Sequence, residues 1–217
     1  MYALINLIAL LLGSISVVCL LTRQKVDKKR AACLAALLFM AVLCVGLDPW
    51  HKEDGGFGLG FSSIRGMIGA GAVLATIWKW FPKYFDKYLR AIIVSLPLMY
   101  SVSKLSCLYV GCCHGFEYNG PFAYIYDGNS YFPVQLAEII CFALIYIISL
   151  GLFLSKKSVY NLPFVSLGVK FLLDFCRAER TGIWIFSKNQ IMLLLFAIVW
   201  IVYLKKNKAP AKSATRI

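Results

Sequence analysis

Seven apolar stretches, at residues 2–21, 31–47, 66–81, 91–110, 133–154, 160–176 and 189–204, take up most of this 217-residue chain. Each approaches the roughly 17–25 residues that cross a bilayer as a helix. With 60% hydrophobic and 15% charged residues, too little polar surface remains to clothe a soluble core, so a water-soluble fold is excluded. The pattern predicts an all-α, polytopic transmembrane helical bundle of about seven spans. The second and sixth stretches are short or polar-tinged, which leaves six spans open. The sequence reads as one membrane-embedded domain over residues 1–204, followed by a basic cytoplasmic tail at 205–217.

Orientation follows from the distribution of Lys and Arg, because positively charged loops stay in the cytoplasm. Residues 22–30, 79–90, 155–158 and 205–217 hold sixteen of the 23 basic residues and only two of the ten acids, Asp27 and Asp86. That asymmetry predicts an N-terminus outside and a C-terminus inside. The formal charge of +13 is thereby spread over cytoplasmic loops, where anionic headgroups are the natural partner; a nucleic-acid role is not expected. Residues 2–21 are followed, not preceded, by positive charge and end in no small-x-small cleavage site, so they predict a retained helix instead of a signal peptide. Of eight cysteines, Cys19, Cys33, Cys44, Cys141 and Cys176 fall within or beside apolar runs, where cysteine packs as a small hydrophobe. Cys107, Cys112 and Cys113 form the one cluster.

Ionisable groups inside spans cost roughly 2.5–3.5 kcal/mol each on insertion scales, which makes Lys104, Glu138, Lys170 and Asp174 site candidates by default. Lys104, Cys107 and Gly111 recur at i, i+3 and i+7, one helical face near the outer end of the fourth span. The Gly111-Cys-Cys-His-Gly115 run suits either a helix stop or a tight turn whose N–H groups approach an anion. Lys170, Asp174 and Arg177 are spaced as a second stripe. One carboxylate cannot neutralise two cations, so with Lys104 and Arg65 these residues predict a cationic pocket for a phosphate or phosphodiester; an internal ion pair is the plainer reading. Pro133 suits a helix start, placing Gln135 and Glu138 one turn apart on one face. The glycine-rich segment 55–66 matches no nucleotide-binding pattern, and His51 beside it reads as a loop histidine. Adjacent Cys112, Cys113 and His114 lack the ligand spacing of a zinc site. No metal and no cofactor is expected.

The order of these motifs resembles the prolipoprotein diacylglyceryl transferase family, seven-span bacterial membrane enzymes, over residues 58–200. Ser103-Lys-Leu-Ser-Cys-Leu-Tyr-Val-Gly111-Cys is similar in placement to the family's Gly-Arg-x-Gly-Asn-Phe-x-Asn-Gly-Glu signature. Phe132-Pro-Val-Gln-Leu-Ala-Glu138 resembles its His-Pro-x-Gln-Leu-Tyr-Glu run. Leu167-Gly168 through Lys170, Asp174 and Arg177 resembles its Tyr-Gly-x-x-Arg-x-x-x-Glu-x-x-Arg helix, and Ser187-Lys-Asn-Gln190 its downstream Ser-x-x-Gln.

The resemblance implies transfer of diacylglyceryl from phosphatidylglycerol to the lipobox cysteine thiol of a lipoprotein precursor, at the extracytoplasmic face of the bacterial plasma membrane. Lys104 and Lys170 stand where the family has phosphate-binding arginines, Asp174 where it has a glutamate, and Ile64-Arg65-Gly66 where it has His-Gly-Gly. The family's histidine base is therefore replaced, and His114 is the substitute offered by the neighbouring loop. The implied catalytic set is Lys104, Glu138, Lys170, Asp174 and His114; the implied substrate-binding set is Arg65, Gly111, Gln135, Arg177 and Gln190. Two alternatives stand beside it: the same fold and phospholipid site with another acceptor or transferred group, and a membrane thiol oxidoreductase using Cys107, Cys112 and Cys113.

Overall fold

The computed structural model describes residues 1–48, 60–61, 63–178, 182–183 and 186–213. His51 and half of the glycine-rich 55–66 segment lie outside them. Seven helices run through the described residues: α1 (Tyr2–Arg23), α2 (Lys28–Gly46), α3 (Ser63–Trp80), α4 (Pro82–Val110), α5 (Val134–Leu154), α6 (Leu162–Asp174) and α7 (Lys188–Ser213). Three antiparallel two-stranded ribbons punctuate them: β1 (Leu47–Asp48) with β2 (Gly60–Phe61), β3 (Tyr124–Tyr126) with β4 (Asn129–Tyr131), and β5 (Gly182–Ile183) with β6 (Phe186–Ser187). Each apolar stretch of the sequence has become a helix. Five of them, α1, α2, α4, α5 and α7, are long and apolar enough to cross a membrane. At 13 residues, α6 spans about 20 Å, short of a hydrocarbon core of about 30 Å. α3 carries Arg65 and Lys79 within its 18 residues.

The chain divides into two compact units. The first comprises Met1–Cys112 and Gln135–Leu162, and α1 is its spine. Asn6, Ala9, Leu10, Gly13, Ser16, Val17, Leu20 and Leu21 make up the buried residues of α1, a stripe at helical period that faces α4 and α2. Small residues set the approach: a Cβ on Gly13 would sit 2.0 Å from Met99 Cγ, so a larger residue there would have to displace the Met99 side chain of α4. Ser95 Oγ donates to Ser16 Oγ across the same seam at 2.9 Å. The Tyr88 hydroxyl, fully buried, donates to the Leu34 carbonyl of α2 at 3.0 Å. α2 and α3 close in similarly, since a Cβ on Gly69 would lie 2.6 Å from the Ala41 carbonyl oxygen. α4 opens on Pro82 and contains Pro97 in its interior.

The second unit comprises Cys113–Val134 and Pro163–Ile217. Its hairpin turns on Asp127-Gly128, both with positive φ, 49° and 76°, the left-handed pair that matches strand twist in a two-residue turn. The sequence reading expects no strands, yet Asp-Gly between Tyr-Ile-Tyr and Asn-Ser-Tyr is the short-range signal for this hairpin. Gly115 sits where the chain runs between two carbonyls: a Cβ there would be 2.6 Å from Phe132 O and 2.8 Å from Cys176 O.

Candidate functional site

In the first unit the polar residues gather at the C-terminal end of α4. Lys104 Nζ lies 2.9 Å from Glu138 Oε2, joining α4 to α5. Glu138 is wholly buried and Lys104 is 8% exposed, so the ion pair is withdrawn from solvent. Lys104 Nζ also lies 5.3 Å from the Tyr100 ring centroid, a cation–π arrangement. The helical face expected for Lys104, Cys107 and Gly111 does point inward, all three being buried. Gln135, one turn before Glu138 and also wholly buried, donates from Nε2 to the Cys112 carbonyl at 2.8 Å. Its Oε1 is a buried acceptor with no hydrogen-bond partner among the described residues. The register of the two helices is held nearby by Ser101 Oγ donating to the Ile139 carbonyl at 2.9 Å.

A second polar knot, absent from the sequence reading, lies on the same stretch of α4. Asn6 of α1 donates to Ser106 Oγ at 3.2 Å and accepts from Ser103 Oγ at 2.5 Å. The signal was available: an asparagine within an otherwise apolar span requires interhelical partners. An apolar groove of about 350 Å³ also runs between α1, α4 and α5, bounded by Leu12, Cys19, Arg23, Tyr146 and Leu154. It lies toward the Arg23 end of α1, away from Asn6, and so is separate from the Lys104 site.

The second unit builds its own site around Asp174, which is 1% exposed. Ser187 Oγ donates to Asp174 Oδ2, while Arg177 Nε stands 3.5 Å from Asp174 Oδ1. The expected Lys170–Asp174–Arg177 stripe is interrupted. α6 ends at Asp174, and the chain tightens through i→i+3 bonds from Phe175 N to Leu172 O and Cys176 N to Leu173 O. Arg177 then pairs as an isolated bridge with Gly115. It reaches Asp174 across this turn instead of along a helix. Lys170, the remaining member, is half-buried on α6.

Ser187 and Gln190 form a reciprocal capping box at the start of α7. Gln190 N donates to Ser187 Oγ at 3.1 Å, and Ser187 N donates to Gln190 Oε1 at 2.9 Å. Gln190 Nε2 donates to the Phe171 carbonyl at 3.2 Å. The Ser-x-x-Gln spacing thus has a local explanation, satisfaction of a helix N-terminus, and it ties that terminus to α6.

The Gly111–Gly115 run is the helix stop. Gly111 takes the left-handed conformation at φ 81° and its N–H donates to Cys107 O at 3.0 Å. Gly115 N donates to Phe132 O at 2.9 Å and Phe116 N to Cys176 O at 3.1 Å. The glycine amides at both ends of the run are therefore used internally. His114 is half-buried and stacks on Tyr131 with ring centroids 4.1 Å apart. Its Nδ1 bonds the Gly115 carbonyl at 3.3 Å. A carbonyl only accepts, so Nδ1 is the donor in this bond. Arg65 is exposed in the first turn of α3.

The structure therefore joins Lys104, Glu138 and Gln135 in one unit, and Asp174, Arg177 and Gln190 in the other. The Sγ atoms of Cys107 and Cys112 lie within 4.8 Å of each other; Cys113 follows them at a positive φ of 62°. The chain matches no family model and no curated protein sequence.

Proposed function

We propose that the protein is a phospholipid-dependent transferase that moves diacylglyceryl from phosphatidylglycerol to the lipobox cysteine of a lipoprotein precursor. The observation that carries this reading is the buried Lys104–Glu138 pair, with Gln135 one turn away. It unites two motifs 30 residues apart in sequence whose resemblance to the transferase family was independent of any contact between them. A cation and carboxylate buried between apolar helices are costly, and anchoring a substrate phosphate is a use that repays the cost.

In the proposed reaction the acceptor sulfur attacks the glycerol carbon that bears the phosphate ester. The C–O bond breaks, its electron pair leaves on glycerol phosphate, and the new C–S bond is a thioether. Negative charge grows on the departing phosphate, so a cation held beside it lowers the barrier; removing one such electrostatic contact typically costs about 10²–10³ in rate. Lys104 offers three N–H donors. Glu138 orients one of them, and the others meet phosphate oxygens. Gln135 Oε1, buried without a partner among the described residues, accepts from the free hydroxyls of the headgroup glycerol. His114, in the second unit, is the base that the family resemblance implies. Asp174 holds Arg177, and Lys170 and Arg65 add positive charge toward anionic lipid. No cofactor takes part.

In this reading α3 and α6 complete about seven crossings, α6 falling short of full thickness. The N-terminus is outside, the Lys104 end of α4 faces the extracytoplasmic side, and the membrane is the bacterial plasma membrane. Purified protein incubated with labelled phosphatidylglycerol and a lipobox peptide is expected to yield a thioether-linked diacylglyceryl peptide and glycerol phosphate, read by mass spectrometry. Lipid bound without any covalent product would rule the reading out.

A further inference from the structure

The end of α4 brings two thiols together. With left-handed Gly111 as the first residue past the helix, its N–H on Cys107 O, the chain reverses between Cys107, three residues before the end of α4, and Cys112, the second residue beyond it. A left-handed cap turns the chain back over the last helical turn, and these two positions flank it. Here both are cysteines, with sulfur atoms within 4.8 Å. Cys107 is buried and Cys112 half-buried. The buried Gln135 amide grips the Cys112 carbonyl, so the second thiol is held in place by α5 as well as by the cap.

The donor set decides what such a pair would take. No histidine or carboxylate joins these thiols in a ligand-sized cluster among the described residues. Zinc in structural sites takes four ligands, and calcium and magnesium take oxygen. All-sulfur donors select soft ions, copper(I) foremost. A metal–thiolate bond of about 2.3 Å places two sulfurs about 4.6 Å apart when the ion sits on the line between them and about 3.8 Å apart in a tetrahedral arrangement. Both separations fall within the 4.8 Å that bounds the sulfurs.

We propose that Cys107 and Cys112 form a preorganised two-thiolate site for a soft monovalent cation of the copper(I) class. Each sulfur gives up a proton and donates a lone pair, and the metal's oxidation state does not change. Affinity accordingly rises with pH. The site is independent of the transferase chemistry.

The test is anaerobic titration of the reduced, detergent-solubilised full chain with Cu(I), in competition with a chromogenic Cu(I) chelator. The expected result is one tightly held equivalent per chain and protection of Cys112 from maleimide alkylation. Cys112→Ser, at the more exposed position, is expected to weaken binding about 100-fold or more, since even loss of an outer-shell partner costs about 10–100-fold. Cys33→Ser, on α2, serves as the control and should bind as the parent does. Gel filtration of Cys112→Ser establishes that it is folded, and the alkylation readout on the unmodified chain stands whether or not it is. Absence of binding by the reduced protein, binding undiminished by Cys112→Ser, or a Cys107–Cys112 disulfide that resists reductant would each overturn the proposal.

Discussion

Two buried carboxylates in this molecule meet cations in different ways. Glu138 meets Lys104 across two long helices, at 2.9 Å and out of reach of solvent. Asp174 meets Arg177 at 3.5 Å three residues along its own chain, and also accepts the Ser187 hydroxyl. The first pair exists only when α4 and α5 are docked. The second is assembled within residues 174–190, by a turn and a helix cap. A contact made between helices reports on packing and marks where a site has been built at a cost; one made within a turn is first of all a device for ending one helix and starting another. On these grounds the Lys104 end is the stronger candidate for chemistry, and the Asp174 knot for holding α6 and α7 in register.

The sharpest way to break this contrast is to truncate Lys104. Lys104→Ala leaves Glu138 buried without its cation, a change that costs about 3–5 kcal/mol, visible as a large fall in melting temperature in detergent. Lipid turnover should drop by about 10²–10³. Lys104→Arg should recover both, because guanidinium keeps the charge and adds a fork suited to phosphate. Unchanged turnover in a folded Lys104→Ala protein would move the chemistry away from α4.

Asp174→Asn should have a smaller effect. The amide still accepts from Ser187, so the knot persists, while the ionic half toward Arg177 is lost. A destabilisation of about 1–3 kcal/mol is expected, the range for a lost hydrogen bond to a charged group, in the same thermal assay. A loss as large as that for Lys104→Ala would erase the distinction between the two regions.

Least disruptive is Gln190. Gln190→Ala removes half of the capping box and should cost about 1 kcal/mol, whereas Gln190→Glu restores the box but sets a carboxylate oxygen against the Phe171 carbonyl that Nε2 now serves, so it should not regain the full stability. Complete rescue by glutamate would show that the bond to Phe171 contributes nothing.

Hydrophobic runs made all seven helices legible, because apolar length is a property of the chain itself. Their ends were less so. The stripe through Arg177 failed since spacing cannot reveal that α6 stops at Asp174, where the chain turns to bridge Gly115. Lys104, Glu138 and Gln135 were each visible as polar residues at helical spacing, and their pairing follows once α4 and α5 pack. The Gly111 and Gly115 amides looked available to an anion because their carbonyl partners, Cys107 and Phe132, depend on a cap and a hairpin that glycine content alone does not specify. The Asn6 knot went unread for a simpler reason: Asn6 stands 97 and 100 positions from Ser103 and Ser106, and only α1–α4 packing brings them together.

Pro97 gives α4 a mechanical character. It has no N–H to offer the Ile93 carbonyl four residues earlier, so the rigid hydrogen-bonded ladder is interrupted near the middle of a 29-residue helix. The helix behaves as two rods sharing a joint. One rod, with Tyr88 and Ser95, is bolted to α2 and α1; the other carries Lys104 and ends in the left-handed cap. Bending at such a joint takes less work than bending an unbroken helix, and what limits it here is that the second rod has fastenings of its own, Ser103 and Ser106 to Asn6 of α1 and Ser101 to the Ile139 carbonyl of α5.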